Sequence, residues 1–294
     1  MAFSDLNSNK MNIIRKVATT FKAKDAIEGA GVHLKRGFSN NEAEDFDPFL
    51  LFDDFSSDVP EHYLAGFPMH PHRGMETVTY ILDGAVRHKD SLGNEGVIGS
   101  GDVQWMTAGS GIIHEEMPES IHGIRGFQLW VNLPRDKKMS EPKYQDLRGD
   151  IVPVITLAPR AHVRIIAGEL VGVRGPLHSI AGDPLYLDIT LEANGMVAIP
   201  VPSWHTVFAY VVDGALSTGT DESAFYAPGA VILFKHEGDA VSLRAPSAGA
   251  RFLLIAGAPL NEPIAWHGPI VMNTDEELHQ AFADLHDGTF IRNC

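Results

Sequence analysis

The sequence has almost no cysteine. Cys294 is the only one in 294 residues, so no internal disulfide can form and cysteine spacing points to no secreted scaffold. Positive charge is also scarce: 23 Lys and Arg stand against 38 Asp and Glu, a net charge of −15. That balance argues against direct, charge-driven contact with nucleic acid or an anionic membrane. No apolar run approaches the length of a membrane span. The opening MAFSDLNSNKMNIIRKVATTF lacks the apolar core of a signal peptide. A soluble, cytoplasmic protein is therefore expected. What is present is ordinary for a globular chain, 44% hydrophobic and 21% charged, enough for a sizeable core. The length suits one large or two medium domains. With 28 Gly and 18 Pro among short, alternating apolar runs, many turns between strands are expected.

Residues 1 to about 20 are polar, then weakly amphipathic, and are expected to pack loosely. Short strands follow from Val17, broken at Gly29 and Gly31. DPFLLFDDF (Asp47–Phe55) is a dense apolar run too short for a helix. It reads as core packing with its flanking acids in solvent. Thr77–Leu82, Val103–Met106 and Phe127–Leu133 then read as strands, with turn signals at Asp83-Gly84 and Ser100-Gly101-Asp102. Short strands at this spacing suggest an all-β antiparallel sandwich or barrel. The charged, proline-bearing segment 134–143 is the best linker candidate, dividing the chain into domains 1–140 and 141–294. A second strand series starts near Ile151. The tail differs: Thr274 and Glu277 fit a capping box, Leu278, Phe282 and Leu285 recur at helical spacing, and Gly288 ends the pattern. One short C-terminal helix is expected there, covering a barrel.

The two series repeat each other. VTYILDGAV (Val78–Val86) matches FAYVVDGAL (Phe208–Leu216), with Tyr80 on Tyr210 and Asp83-Gly84-Ala85 on Asp213-Gly214-Ala215, an offset of 130. Ser100-Gly101-Asp102-Val103 echoes Pro228-Gly229-Ala230-Val231 at 128. Two echoes at nearly one offset argue for a duplicated domain.

Two pairs of ligating residues lie in the first half only: His70 with His72, and His114 with Glu116. Each is spaced i, i+2, so on a strand both members point to one face, and two facing strands can bring four groups to one point. Three imidazoles and a carboxylate suit iron, nickel, copper, manganese, cobalt or zinc better than calcium or magnesium. Glu76 shares the parity of His70 and His72, so geometry alone leaves it open as a ligand. Glu115 has the wrong parity. In the second half the equivalent positions are Pro200, Pro202, Ser242 and Arg244, which cannot substitute, so one metal in the first domain is expected. His33, His62, His88, His122, His162 and His178 read as structural or solvated. Trp105 reads as core, whereas Gln128 and Trp130 share a face and suit a pocket mouth.

The order H-x-H-x3-E-x7-G, then G-x5-T-A-G-x4-H, resembles the two cupin motifs. HPHRGMETVTYILDG, GDVQWMTAGSGIIHEEMP and DPFLLFDDF are closer still to the signature of the pirin family, most densely over residues 47–133. The resemblance implies two cupin-type (jelly-roll) β-barrels in tandem. It implies a metal held by His70, His72, His114 and Glu116, iron in most members, and favours Glu116 over Glu76. Thr107 stands where the general cupin motif has proline.

By resemblance, the activity expected is that of a quercetin 2,3-dioxygenase. Such an enzyme opens a flavonol ring with O2 and releases carbon monoxide, here with Fe(II) and with Glu116 also the base. The alternative the family offers is a redox-sensing regulator that binds a transcription factor or metabolic enzyme. Its acidic surface would suit a basic protein partner better than DNA.

Overall fold

The structure, a computed structural model, describes residues 12–178, 180–219 and 221–292. Cys294 and the first eleven residues lie outside that range. Strand propensity dominates, as the β-branched and aromatic runs require. Two seven-stranded antiparallel sheets share one order of strands. The first runs Lys143–Leu147, Val103–Thr107, Met75–Asp83, Arg125–Asn132, Phe49–Asp54, Val32–Phe38, Lys24–Glu28. The second runs Val17–Lys22, Ala230–Phe234, Thr206–Gly214, Ala250–Gly257, Leu185–Leu191, Ala161–Ala167, Val154–Ala158. Each is closed by a four-stranded sheet: Phe67–His72, Ile112–Pro118, Ala85–Asp90, Glu95–Gly99 in one barrel, and Met196–Pro200, Ala240–Arg244, Leu216–Thr218, Asp221–Tyr226 in the other. The duplication read from two short echoes is thus a duplication of the whole topology.

The outermost strands cross between halves. Val17–Lys22 pairs with Ala230–Phe234 in the second barrel. The sequence suggested loose packing up to about residue 20, but from Val17 the chain is laddered. Lys143–Leu147, past the expected boundary at residue 140, pairs with Val103–Thr107 and completes the first barrel. Each crossing covers an edge that would otherwise expose unpaired backbone groups.

The two large sheets pack face to face through one apolar cluster. It joins Phe52, Val78 and Phe127 of the first barrel to Tyr186, Phe208 and Tyr210 of the second. The repeated tyrosines bond reciprocally across it: Tyr80 donates to Asp188 at 2.7 Å and Tyr210 to Asp54 at 2.7 Å. Phe49–Asp54 is core, as expected of DPFLLFDDF, but its acids are not in solvent. Asp54 accepts from Tyr210, and buried Asp53 is held by two bonds from Arg36, at 3.0 and 2.8 Å.

The C-terminal helix spans Asp275–His286 and begins with the expected capping box, in which the Thr274 side chain and Glu277 satisfy each other's backbone N–H groups. Its apolar side packs on Ala265, Ile270 and Met272 and reaches Ile113 of the first barrel. No helix among the described residues is long and apolar enough to cross a membrane.

The segment 134–143 is not a solvated linker. Lys138 is 1% exposed, and its Nζ donates to the Gly74 carbonyl, Asn132 Oδ1 and the Val271 carbonyl at 2.7–3.0 Å. Three oxygens replace its hydration shell and tie the segment to the rim of the first barrel. Burial pushes its ammonium down to about 7, against the pull of Glu262 and Glu277 upward. The sign follows from proton counting. Below about pH 7 both states carry the proton and the penalty of burying the charge is complete. Between there and an unfolded-state value of about 10.4, only the unfolded chain holds it, so stability rises with pH. Lys138→Met removes this linkage. In thermal melts from about pH 6 to pH 9, the wild type is expected to gain on the variant as pH increases. A gap that stays constant would mean that the folded lysine is not depressed.

Candidate metal centre

Strands Phe67–His72 and Ile112–Pro118 lie antiparallel, with His114 opposite His70 and Ile112 opposite His72. Alternation puts His70 and His72 on one face, and the pairing brings His114 to them. The imidazole centroids stand 4.5 Å (His70–His114), 4.8 Å (His70–His72) and 5.0 Å (His72–His114) apart. Their ligating atoms all lie within 4.8 Å of one another, the one such cluster of three or more among the described residues.

The chemistry of these rings fits a metal. His72 Nδ1 and both nitrogens of His114 are buried without a hydrogen-bond partner, a cost that proteins rarely leave uncompensated. Burial, and then the neighbouring imidazoles, push His72 and His114 well below the usual histidine range, so both are neutral and offer lone pairs. Outer contacts fix the rings. His70 Nδ1 lies 2.9 Å from the Pro68 carbonyl, and His72 bonds to the backbone of Pro269.

The structure does not bring Glu116 into the triad. Pairing shifts register between His114 and Glu116, which stands opposite Phe67. Its carboxylate accepts from Thr79 Oγ1 at 2.9 Å and from Gln128 Nε2 at 3.0 Å, on the wall of the same cavity. Glu76 leaves the site altogether. Gly74 at φ +78 ends one strand before the next begins, so the parity shared in sequence is lost. Glu76 instead accepts from Thr107 Oγ1 at 2.7 Å and from the Ala181 amide, toward the second barrel. Glu115 points outward to Arg87, at 3.1 Å. His33 and His62 stack on each other, and His88 bonds to Gln104, as expected of structural histidines.

Sequence reasoning missed the outer support of His72. Arg73 is buried and donates to Ser110 O, Asp284 and Phe290 O, joining the triad strand to the tail of the chain. A Cβ on Gly74 would stand 1.9 Å from the Val271 carbonyl, so only glycine admits the tail there. No local pattern marks either residue, because their partners lie some two hundred positions away.

His70, His72 and Glu116 open onto a cavity of about 480 Å³, a size typical of small-molecule sites. Gln128 and Trp130 line it as the shared face suggested, and the second half contributes Trp266 and Pro269. The indoles of Trp130 and Trp266 stand 6.0 Å apart. Trp105 is core, 1% exposed. In the second barrel the ladder puts Ala198 and Pro200 where His70 and His72 stand, rather than Pro200 and Pro202, and buried His205 belongs to no cluster of three ligating groups among the described residues.

Two stacked barrels of jelly-roll type, with a histidine triad in the first, define a bicupin. The family comparison is specific: the Pirin model matches residues 31–131 and the Pirin C-terminal cupin domain model residues 186–291. A "Pirin-like protein" of Caulobacter vibrioides is 45% identical over 94% of this chain and 99% of its own. "Pirin" of Homo sapiens is 39% identical over 94% of each. A crystal structure named quercetin 2,3-dioxygenase from Acinetobacter baumannii is 34% identical, covers 95% of this chain and 99% of that one, and superposes with a TM-score of 0.87. The chain belongs to the pirin family.

The triad makes one expectation sharp. His114→Ala removes two unpartnered buried nitrogens along with some packing, so the metal-free variant should melt within a few degrees of metal-free wild type. Its metal affinity, titrated with elemental analysis of the product, should fall by about a hundredfold or more, the upper end of what even supporting residues cost. A variant unfolded at room temperature would make the site structural.

Proposed function

We propose that this protein is a metal-dependent dioxygenase of the quercetin 2,3-dioxygenase type, using Fe(II) and O2 to open a flavonol ring. The observation that carries the reading is the convergence of three imidazoles, two of them neutral and with unpartnered buried nitrogens, at an aromatic-walled cavity. The name of the Acinetobacter baumannii structure lends further support. His70, His72 and His114 would hold the ion, with Glu116 on the wall of the same cavity. When bound, the metal supplies Lewis acidity toward a phenolic oxygen and one-electron chemistry toward dioxygen.

The protein's own groups do the rest. Glu116 is a 6%-exposed carboxylate steadied by Thr79 and Gln128. It takes the proton of the flavonol hydroxyl, acting as general base. Trp130 and Trp266 flank the cavity and orient a flat ring by stacking. The apolar lining excludes water from the deprotonated substrate. In the overall reaction both atoms of O2 enter the products, and one ring carbon leaves as carbon monoxide.

Purified, iron-loaded protein with quercetin in air should consume the flavonol absorbance with release of carbon monoxide. Glu116→Gln should retain metal through the triad yet lose about a hundredfold or more in turnover, the range of a general base. Absence of turnover with iron, manganese, nickel, cobalt and copper alike removes this reading.

A further inference from the structure

The duplication supplies an internal control on the first barrel's interior. Ladder pairing defines a single row of residues across its large sheet: Arg36 opposite Asp53, Asp53 opposite Gln128, Gln128 opposite Thr79, Thr79 opposite Gln104. The same row in the second sheet runs Ile165, Leu187, Leu254, Ala209, Ile232. The alignment is anchored by Tyr80 and Tyr210, one residue on from Thr79 and Ala209, and by Asp54 and Asp188, one on from Asp53 and Leu187. Five polar residues in one barrel thus stand at the positions where its twin has five fully buried apolar ones. The fold itself does not need the polar row. Asp53 is buried and the Arg36 side chain 25% exposed, and pairing a buried charge commonly gains no more stability than apolar side chains in its place, so the pair points to something other than packing.

Their position shows what. Arg36, Asp53, Thr79 and Gln128 all line the cavity that His70 and His72 open onto. Thr79 and Gln128 hold Glu116 at the metal end. Arg36 lies two strands beyond Gln128, about 10 Å at usual strand spacing. There its guanidinium bonds to Asp53 twice and to Glu28 at 2.7 Å. One cation between two carboxylates leaves the far end net negative. Carboxylates keep free lone pairs after meeting one guanidinium. Such a cluster accepts hydrogen bonds from neutral hydroxyls and repels anions.

We infer that Arg36, Asp53 and Glu28 form a distal subsite that reads hydroxyl donors on the far ring of the ligand. The substrate class is then an aromatic with an ionisable oxygen at the metal end and a catechol-type pair of hydroxyls at the other. Asp53 and Glu28 accept those hydroxyls. Arg36 holds both carboxylates in place, as a positioning residue. This rests on the reading of the cavity as a flavonol site.

The test is binding, not turnover. Isothermal titration of the metal-loaded protein compares quercetin, with a catechol on its pendant ring, and galangin, the same flavonol without those hydroxyls. The wild type should favour quercetin by about tenfold, since a site built to bond a hydroxyl discriminates against its absence. Arg36→Ile combined with Asp53→Leu imports the twin barrel's own pair. It should fold, bind galangin as the wild type does, carry the same metal content, and lose the preference. Asp53→Asn keeps the volume and should narrow the preference if the double variant does not fold. A wild type without preference, or variants that retain it, overturns the subsite. Failure of the wild type to bind either flavonol overturns instead the function on which it rests.

Discussion

One constraint underlies the molecule: the two-residue alternation of strand Met75–Asp83, lying mid-sheet with a different medium on each side. Glu76, Val78 and Tyr80 face the second barrel, where Tyr80 meets Asp188 and Glu76 meets Ala181. Thr77 and Thr79 face the first barrel's interior, where Thr79 steadies Glu116. A slip of one residue would put a tyrosine in the cavity and a threonine in the apolar interface, reversing every contact at once. The interface and the site therefore constrain each other, and neither can be altered in register without losing the other.

The second barrel and the tail contribute to the site without carrying a ligand. Val271 reaches over Gly74, Asp284 and Phe290 grip Arg73, and Pro269 bonds His72. These contacts act on the outer side of the Phe67–His72 strand, which sits in a small sheet and needs bracing. Burial on both sides keeps His72 and His114 neutral. The price is unpartnered nitrogens, which a metal ion would satisfy. Lys138 adds to the same brace, joining the Gly74 and Val271 carbonyls through one ammonium.

Much of this was legible in residues close together in sequence. The i, i+2 pairs located His70, His72 and His114; the echo around Tyr80 and Tyr210 announced a second barrel; Thr274 and Glu277 marked the helix start. What was not legible depends on partners far along the chain. Asp53 looks like a solvated flank until Arg36 is placed beside it by the ladder. Lys138 looks like linker until three distant oxygens surround it. Val17–Lys22 reads as a strand, but its place in the second barrel does not, because its ladder partner, Ala230–Phe234, lies more than two hundred residues on. Parity arguments also stop wherever a strand ends. Glu76 failed for that reason, and Glu116 was displaced from the triad by a register shift that no composition signals.

The comparison of twins separates what a barrel needs from what a site needs. Both have the same strand order, and both use a tyrosine and an aspartate across the interface. They differ inside. The second is filled along its middle row by isoleucine, leucine and alanine, which pack without any polar group to satisfy. The first gives up that close packing for a cavity, and the polar row is bonded along its length: Arg36 with Asp53 and Glu28, Thr79 and Gln128 with Glu116, Gln104 with His88 and Asp146. Unsatisfied, such a row would destabilise the barrel. Fully connected, it costs little and leaves a rigid polar floor under an aromatic-walled chamber. The interior of the first barrel is therefore organised by hydrogen bonding around its cavity, and its twin carries the apolar packing.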